Sequence, residues 1–178
     1  MSLADTLAAF EAWLHRHAPA TAADLLPPAT DDDLDQIRNA LGVDLPADLL
    51  TVLRWHNGSG FGDLPVPLAP GYGMYPSRIM VAATLDNRQI GNEGPYRPWK
   101  ETWLVIGSDN CGGYLTVETD PSCAGSVFTF DWEDGRPHGR RWPSLADAVA
   151  TVLAGVRAGR YSDDPDDVIE IEDGFLVP

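Results

Sequence analysis

Leu45-Pro46-Ala47-Asp48-Leu49-Leu50-Thr51-Val52-Leu53-Arg54-Trp55-His56-Asn57-Gly58 carries the start and the stop of a helix in its own residues. Pro46 suits a first helical position, where a missing N–H loses no partner, and Asp48 sets a negative charge in the positive end of the helix dipole. Leu49, Leu50, Val52, Leu53 and His56 form a broad apolar stripe with one polar edge, as on a helix laid against a core. Asn57-Gly58 supplies residues that tolerate the left-handed backbone ending a helix. The stretch predicts a well-capped core helix and demands no chemistry of its own.

Upstream, Thr30 with Asp31, Asp32 and Asp33 caps a helix whose Leu34, Ile37 and Leu41 share one stripe before Gly42. The three aspartates lack the alternating ligands, central glycine and terminal glutamate of a calcium loop, so they read as dipole complements. Leu3, Leu7, Phe10 and Leu14 mark an opening amphipathic helix with Ser2 and Asp5 spaced as a capping box and His15-Arg16-His17 near its negative end. His15 and His17 point in different directions on a helix and make no metal pair. Ala20 to Ala29, with Pro27-Pro28, reads as a connector.

Downstream, Gly58-Ser59-Gly60-Phe61-Gly62 leaves a helix and precedes the proline-spaced Leu64 to Leu68. A phosphate-binding loop runs from strand to helix, so this one reads as a loop into an edge strand. Tyr72, Met74 and Tyr75 fall in a glycine- and proline-rich loop at 70–76. Ser77 caps a helix to about Ile90, with Ile79, Met80, Ala83 and Asn87 inward and Gly91 as its stop. Tyr96 and Trp99 stand in a further loop at 92–102. From Trp103 the period becomes that of strands: 103–107, 113–118, 126–132 and 136–142, linked by turns too short for anything but antiparallel pairing. Ser144 and Asp147 cap a last helix, whose Leu145, Val149, Val152, Leu153 and Val156 cover one sheet face before Gly159. Val168 to Glu172 and Phe175-Leu176-Val177 are short apolar pieces in an acidic tail, whose order the sequence leaves open.

These elements predict one α+β domain over 1–178, with a mainly antiparallel sheet and helices packed chiefly on one face. Residues 1–29 form its opening helix and connector, and 161–178 its acidic tail. The chain is long enough to bury about 70% of its unfolded surface. No apolar run approaches the roughly 20 residues of a membrane span, and no basic leader opens the chain, so the expectation is a cytoplasmic protein off the membrane. Cys111 and Cys123 are too few for a disulfide framework and read as reduced thiols. The net charge is −15, from 27 acids against 12 bases, with Lys100 the lone lysine. A field of that sign repels nucleic acid and steers cationic proteins toward the surface, or else serves solubility alone.

The search for catalysis yields little. Cys111 before Gly112-Gly113, with His56 or His138 as base, lacks the flanks of a cysteine enzyme, and Ser59 and Ser108 lack a nucleophile elbow. The two cysteines and four histidines form no zinc pattern. No cofactor and no metal are expected.

The leucine-proline, the acid two positions on, the aliphatic helix and the closing Asn57-Gly58 resemble the signature of the SUKH superfamily, whose founding member is a fungal cell-wall assembly regulator. The resemblance continues in Trp103-Leu104-Val105-Ile106-Gly107, Gly112-Gly113 into Tyr114-Leu115-Thr116-Val117, Gly125-Ser126-Val127 and Ser144-Leu145, covering roughly residues 30 to 158. It implies a single α+β domain without enzymatic chemistry that binds proteins, and many bacterial relatives are thought to be immunity proteins against polymorphic toxins. Two functions follow as expectations: a protein-binding module neutralising a basic, nuclease-like toxin, or a structural or regulatory scaffold with no toxin partner. Loops host function and aromatics anchor interfaces, so the expected partner contacts are Phe61, Tyr72, Tyr75 and Trp99 with Asp63, Glu93 and Asp109. The sequence gives no oligomeric state.

Overall fold

A computed structural model of the chain describes residues 1–60, 66–93, 99–132, 136–160 and 168–177, with 136–140 by backbone alone. Six strands pair in the order they occur: β1 (Pro67–Ala69), β2 (Tyr72–Met74), β3 (Trp103–Ser108), β4 (Tyr114–Glu118), β5 (Val127–Asp131) and β6 (Arg136–Trp142). Every neighbouring pair is antiparallel, as the short turns require. The expected edge strand is present as β1. The glycine-proline segment after it is not all loop, because Tyr72 and Met74 lie on β2 with Met74 fully buried.

Alternation along the strands sorts side chains to two faces. Leu104, Ile106, Leu115, Val117 and Val127 join the main core with helices α3 (Asp31–Leu41), α4 (Ala47–Trp55) and the start of α6 (Leu145–Ala158). Trp103, Val105, Phe128 and Phe130 point the other way into an aromatic cluster, which Trp99 roofs and α5 (Ser77–Glu93) flanks through Ala83. Helices thus lie chiefly on one face. Gly91 was expected to end α5, yet it sits buried inside it. A Cβ there would lie 2.8 Å from Trp99 Cβ, so the missing side chain is what lets the 99 segment close against the helix.

Both ends of α4 fasten another helix. Pro46 stands at the cap rather than at the first helical position. Asp48, in the first turn, accepts the Ala146 N–H of α6 at 3.1 Å, so one carboxylate faces the positive ends of two helices. At the other end His56 is extended and Asn57 does not take the left-handed backbone, whereas Gly58 does, at φ +87°. The Asn57 side chain instead accepts the Ser77 N–H at 2.9 Å, capping α5 in the role expected of Ser77 itself. A Cβ on Gly58 would lie 2.4 Å from Pro76 N, which reserves this position for glycine.

A second layer closes over the far side of α6. Helix α1 (Leu3–His17) begins at the Ser2–Asp5 capping box and buries Leu3, Leu7, Phe10 and Leu14, as its periodicity requires. The connector that follows contains a short helix, α2 (Pro19–Ala23). The acidic tail supplies a hairpin, β7 (Glu170–Glu172) and β8 (Phe175–Val177), and its Leu176 joins Phe10, Leu14, Ala22, Val152, Leu153 and Val156 in a cluster of their own. Among the described residues no helix is long and apolar enough to cross a membrane.

Leu53 is fully buried, so Leu53→Ala should lower unfolding free energy by about 2–5 kcal/mol in denaturant melts. Asp48→Ala, which strips the α6 amide of its acceptor, should cost about 0.5–2 kcal/mol in the same assay.

Candidate functional site

The residues expected to meet a partner do not gather on one surface. Phe61 and Asp63 lie outside the described residues. Tyr72 opens β2, half-buried, and pairing of Gly73 with Ser108 sets it at the same end of the sheet as Asp109. Tyr75 follows; its N–H donates to Ile106 O at 3.0 Å, and its half-buried ring packs against the clusters on both faces. Glu93 ends α5, exposed, and accepts from Gln89 Nε2 at 2.9 Å. It belongs with Trp99 near the start of β3, about 17 Å from Tyr72 and Asp109 at the usual strand rise.

Two of these side chains do structural work. Trp99 was expected to face outward but is only 9% exposed. Its ring centroid lies 5.5 Å from that of Trp103, 5.0 Å from Phe130 and 6.3 Å from Trp132. A large ring closing an aromatic face gains more by burial than by exposure on its loop. Asp109 turns back on its own turn, where Oδ1 accepts the Cys111 and Gly113 N–H groups at 2.8 Å each. This is the local competition for backbone amides that aspartate favours in tight turns.

The aromatic face carries its own cations. Lys100 Nζ stands 5.5 Å from the Trp103 ring centroid, and the Arg141 guanidinium 5.8 Å from that of Phe128, its cross-strand partner. Trp103 Nε1 donates to Glu118 Oε2 at 2.9 Å, while Glu118 Oε1 accepts the Thr119 and Asp120 N–H groups, so this buried carboxylate is bonded through both oxygens.

Sequence reading missed the junction between α1 and α4. Glu11 Oε2 accepts Trp55 Nε1–H at 2.7 Å, and Oε1 lies 3.5 Å from His56 Nε2 and 3.7 Å from His15 Nε2. His56 Nδ1 meets Leu26 O at 2.5 Å; a carbonyl only accepts, so Nδ1 carries a proton. Partial burial pushes the Glu11 carboxyl up, but the Trp55 bond and the charges of His56 and His15 outweigh it and hold the group below its ordinary value. Glu11 and Trp55 lie 44 positions apart, beyond any local pattern. Beside this junction an open groove of about 450 Å³ runs between α1 and α4 along Leu7, Ala8, Leu50 and Trp55, with Arg54, paired to Asp31, at its rim.

Cys111 is exposed on the β3–β4 turn, whereas the His56 ring is engaged by Leu26 and Glu11, so the two form no thiol–imidazole pair. Among the described residues no group of three His, Cys, Asp or Glu side chains is placed to hold a metal ion.

An antiparallel meander with helices over one face and an aromatic cluster on the other defines an α+β domain built on a six-stranded sheet. The chain belongs to the SMI1 / KNR4 family (SUKH-1), whose profile matches residues 28–151. The family is known as an immunity-protein type and is generally non-enzymatic. The match opens just before α3 and ends within α6, so α1, α2 and the β7–β8 hairpin lie outside it. No curated protein matches the chain significantly.

Because the folded-state value of Glu11 is depressed, its stabilising contribution is full above the ordinary glutamate range and is lost as pH falls through the depressed value. Glu11→Gln should therefore melt below the parent at neutral pH, and the gap should close in acid. Trp99→Ala should cost about 3–5 kcal/mol in denaturant melts, which separates a roof from a surface anchor.

Proposed function

We propose that this domain is a non-enzymatic, cytoplasmic immunity protein that neutralises a basic toxin, a nuclease being the type its charge suits, with no cofactor, nucleic acid or membrane involved. The observation that carries the reading is an excess of 15 negative charges on a SUKH-1 scaffold. The excess charge as a whole sets the field that an approaching partner meets, including Glu11, Asp48 and Glu118, which also hold elements together. Phe61, Asp63, Tyr72, Tyr75, Glu93 and Asp109 are the positions at which contact is proposed. Trp99 lies beneath the surface near Glu93.

The test begins with the neighbouring reading frame, where an immunity protein's toxin should be encoded. That toxin's purified domain should bind with an association rate that falls on the order of tenfold between low and physiological ionic strength, because screening shortens the field to about 10 Å at 0.1 M. Tyr72→Ala and Glu93→Ala, each confirmed folded by its melt, should weaken binding. Salt-indifferent binding, or folded variants that bind like the parent, would favour the structural or regulatory scaffold instead.

A further inference from the structure

The β7–β8 hairpin, outside the family match, is held firmly while its outer face is left uncovered. Asp173 and Gly174 both have positive φ, +50° and +83°, the paired left-handed turn that matches the twist of a two-residue hairpin. Gly174 O accepts the Ala20 N–H at 2.9 Å, Leu176 N–H donates to Thr21 Oγ1 at 2.8 Å, and Ile169 N–H reaches Gly159 O at 3.1 Å. Leu176 is buried beneath, 1% exposed. Such anchoring fixes the hairpin before any partner arrives, which lowers the ordering cost of binding.

Residues directly opposite in an antiparallel pair share a face, so Glu170 with Val177 and Glu172 with Phe175 lie on the side away from Leu176. Each cross-strand pair joins one carboxylate to one apolar side chain. Phe175 is 41% exposed, and Val168 at the margin is 56% exposed. Residues 161–178 contain seven acids and no lysine or arginine. A second copy of this chain, an anionic lipid surface and nucleic acid would each bring like charge to the face. A wholly apolar partner would have to strip water from Glu170 and Glu172 with nothing to pair them.

We propose that this hairpin face docks a basic segment of a partner protein, one in which lysine or arginine alternates with apolar side chains. The cations pair with Glu170 and Glu172 while the apolar groups cover Phe175 and Val177. The proposal rests on the protein-binding reading above and adds to it a second contact surface, contributed by a part of the chain outside the family match.

A fluorescently labelled decapeptide alternating lysine and valine is the probe, with an equally charged lysine–glycine decapeptide as its control. The parent should bind the lysine–valine peptide about tenfold more tightly, the size of effect one buried aromatic anchor supplies. Amide shifts on binding should concentrate at 168–177 and at Ala20 and Thr21. Phe175→Ser, exposed and confirmed folded by its melt, should reduce lysine–valine binding to the control level, and Glu172→Gln should weaken both peptides. Equal binding of the two peptides by the parent, or binding unaltered in Phe175→Ser, overturns the proposal. If the cognate toxin binds the parent and Phe175→Ser equally, the hairpin surface is wrong while the immunity reading stands. If the parent binds no toxin but discriminates the peptides through Phe175, the immunity reading fails and the docking surface remains.

Discussion

A helix end leaves amides unsatisfied, and in this protein α4 answers that need for its neighbours as well as itself. Asp48 receives an amide of α6 and Asn57 receives the first amide of α5, so two helices are oriented by side chains nine positions apart on a third. Gly58 lets the chain pass within van der Waals contact of Pro76 directly after Asn57, which is what brings the cap within reach. The sheet then has a fixed partner on its apolar face, because Leu49, Val52 and Leu53 are presented to the core by a helix whose direction is settled at both ends.

Local elements were legible in the sequence because local physics makes them. The capping boxes at Ser2 and Thr30, the apolar stripes of α1, α3 and α6 and the alternating strands from Trp103 need only neighbours within a few positions. Residues with a local reading and a distant role were misread. Asn57 and Gly91 both look like helix stops, and each proves to be a contact: the first caps a helix 20 residues away, the second admits Trp99. Trp99 looks like an exposed anchor because its loop carries no periodicity to reveal that Trp103, Phe130 and Trp132 surround it. The tail was ambiguous for the same reason, since its acids argue for solvent while the single residue Leu176 argues for a core that α1 and α6 supply.

The candidate site was less legible than the fold. Interfaces are chosen by what remains outside once the core has taken its share, and the core draws on residues far apart in the chain. Asp109 illustrates this: its charge is visible in the sequence, but its engagement with the Cys111 and Gly113 amides is a property of the folded turn. The acid balance, by contrast, needs no fold to be read, and it is the part of the functional argument that sequence and structure share.

The joining of α1 and α2 to the β7–β8 hairpin also bears on the order of folding. Phe10 and Leu14 share a cluster with Val152, Leu153, Val156 and Leu176, side chains far from them along the sequence. The main core, by contrast, draws mostly on 29–142, with Leu3 and Leu7 of α1 and the start of α6 added at its edge. Closing the layer of α1, α6 and the hairpin therefore costs more loop-closure entropy than pairing neighbouring strands does, which sets it late in folding.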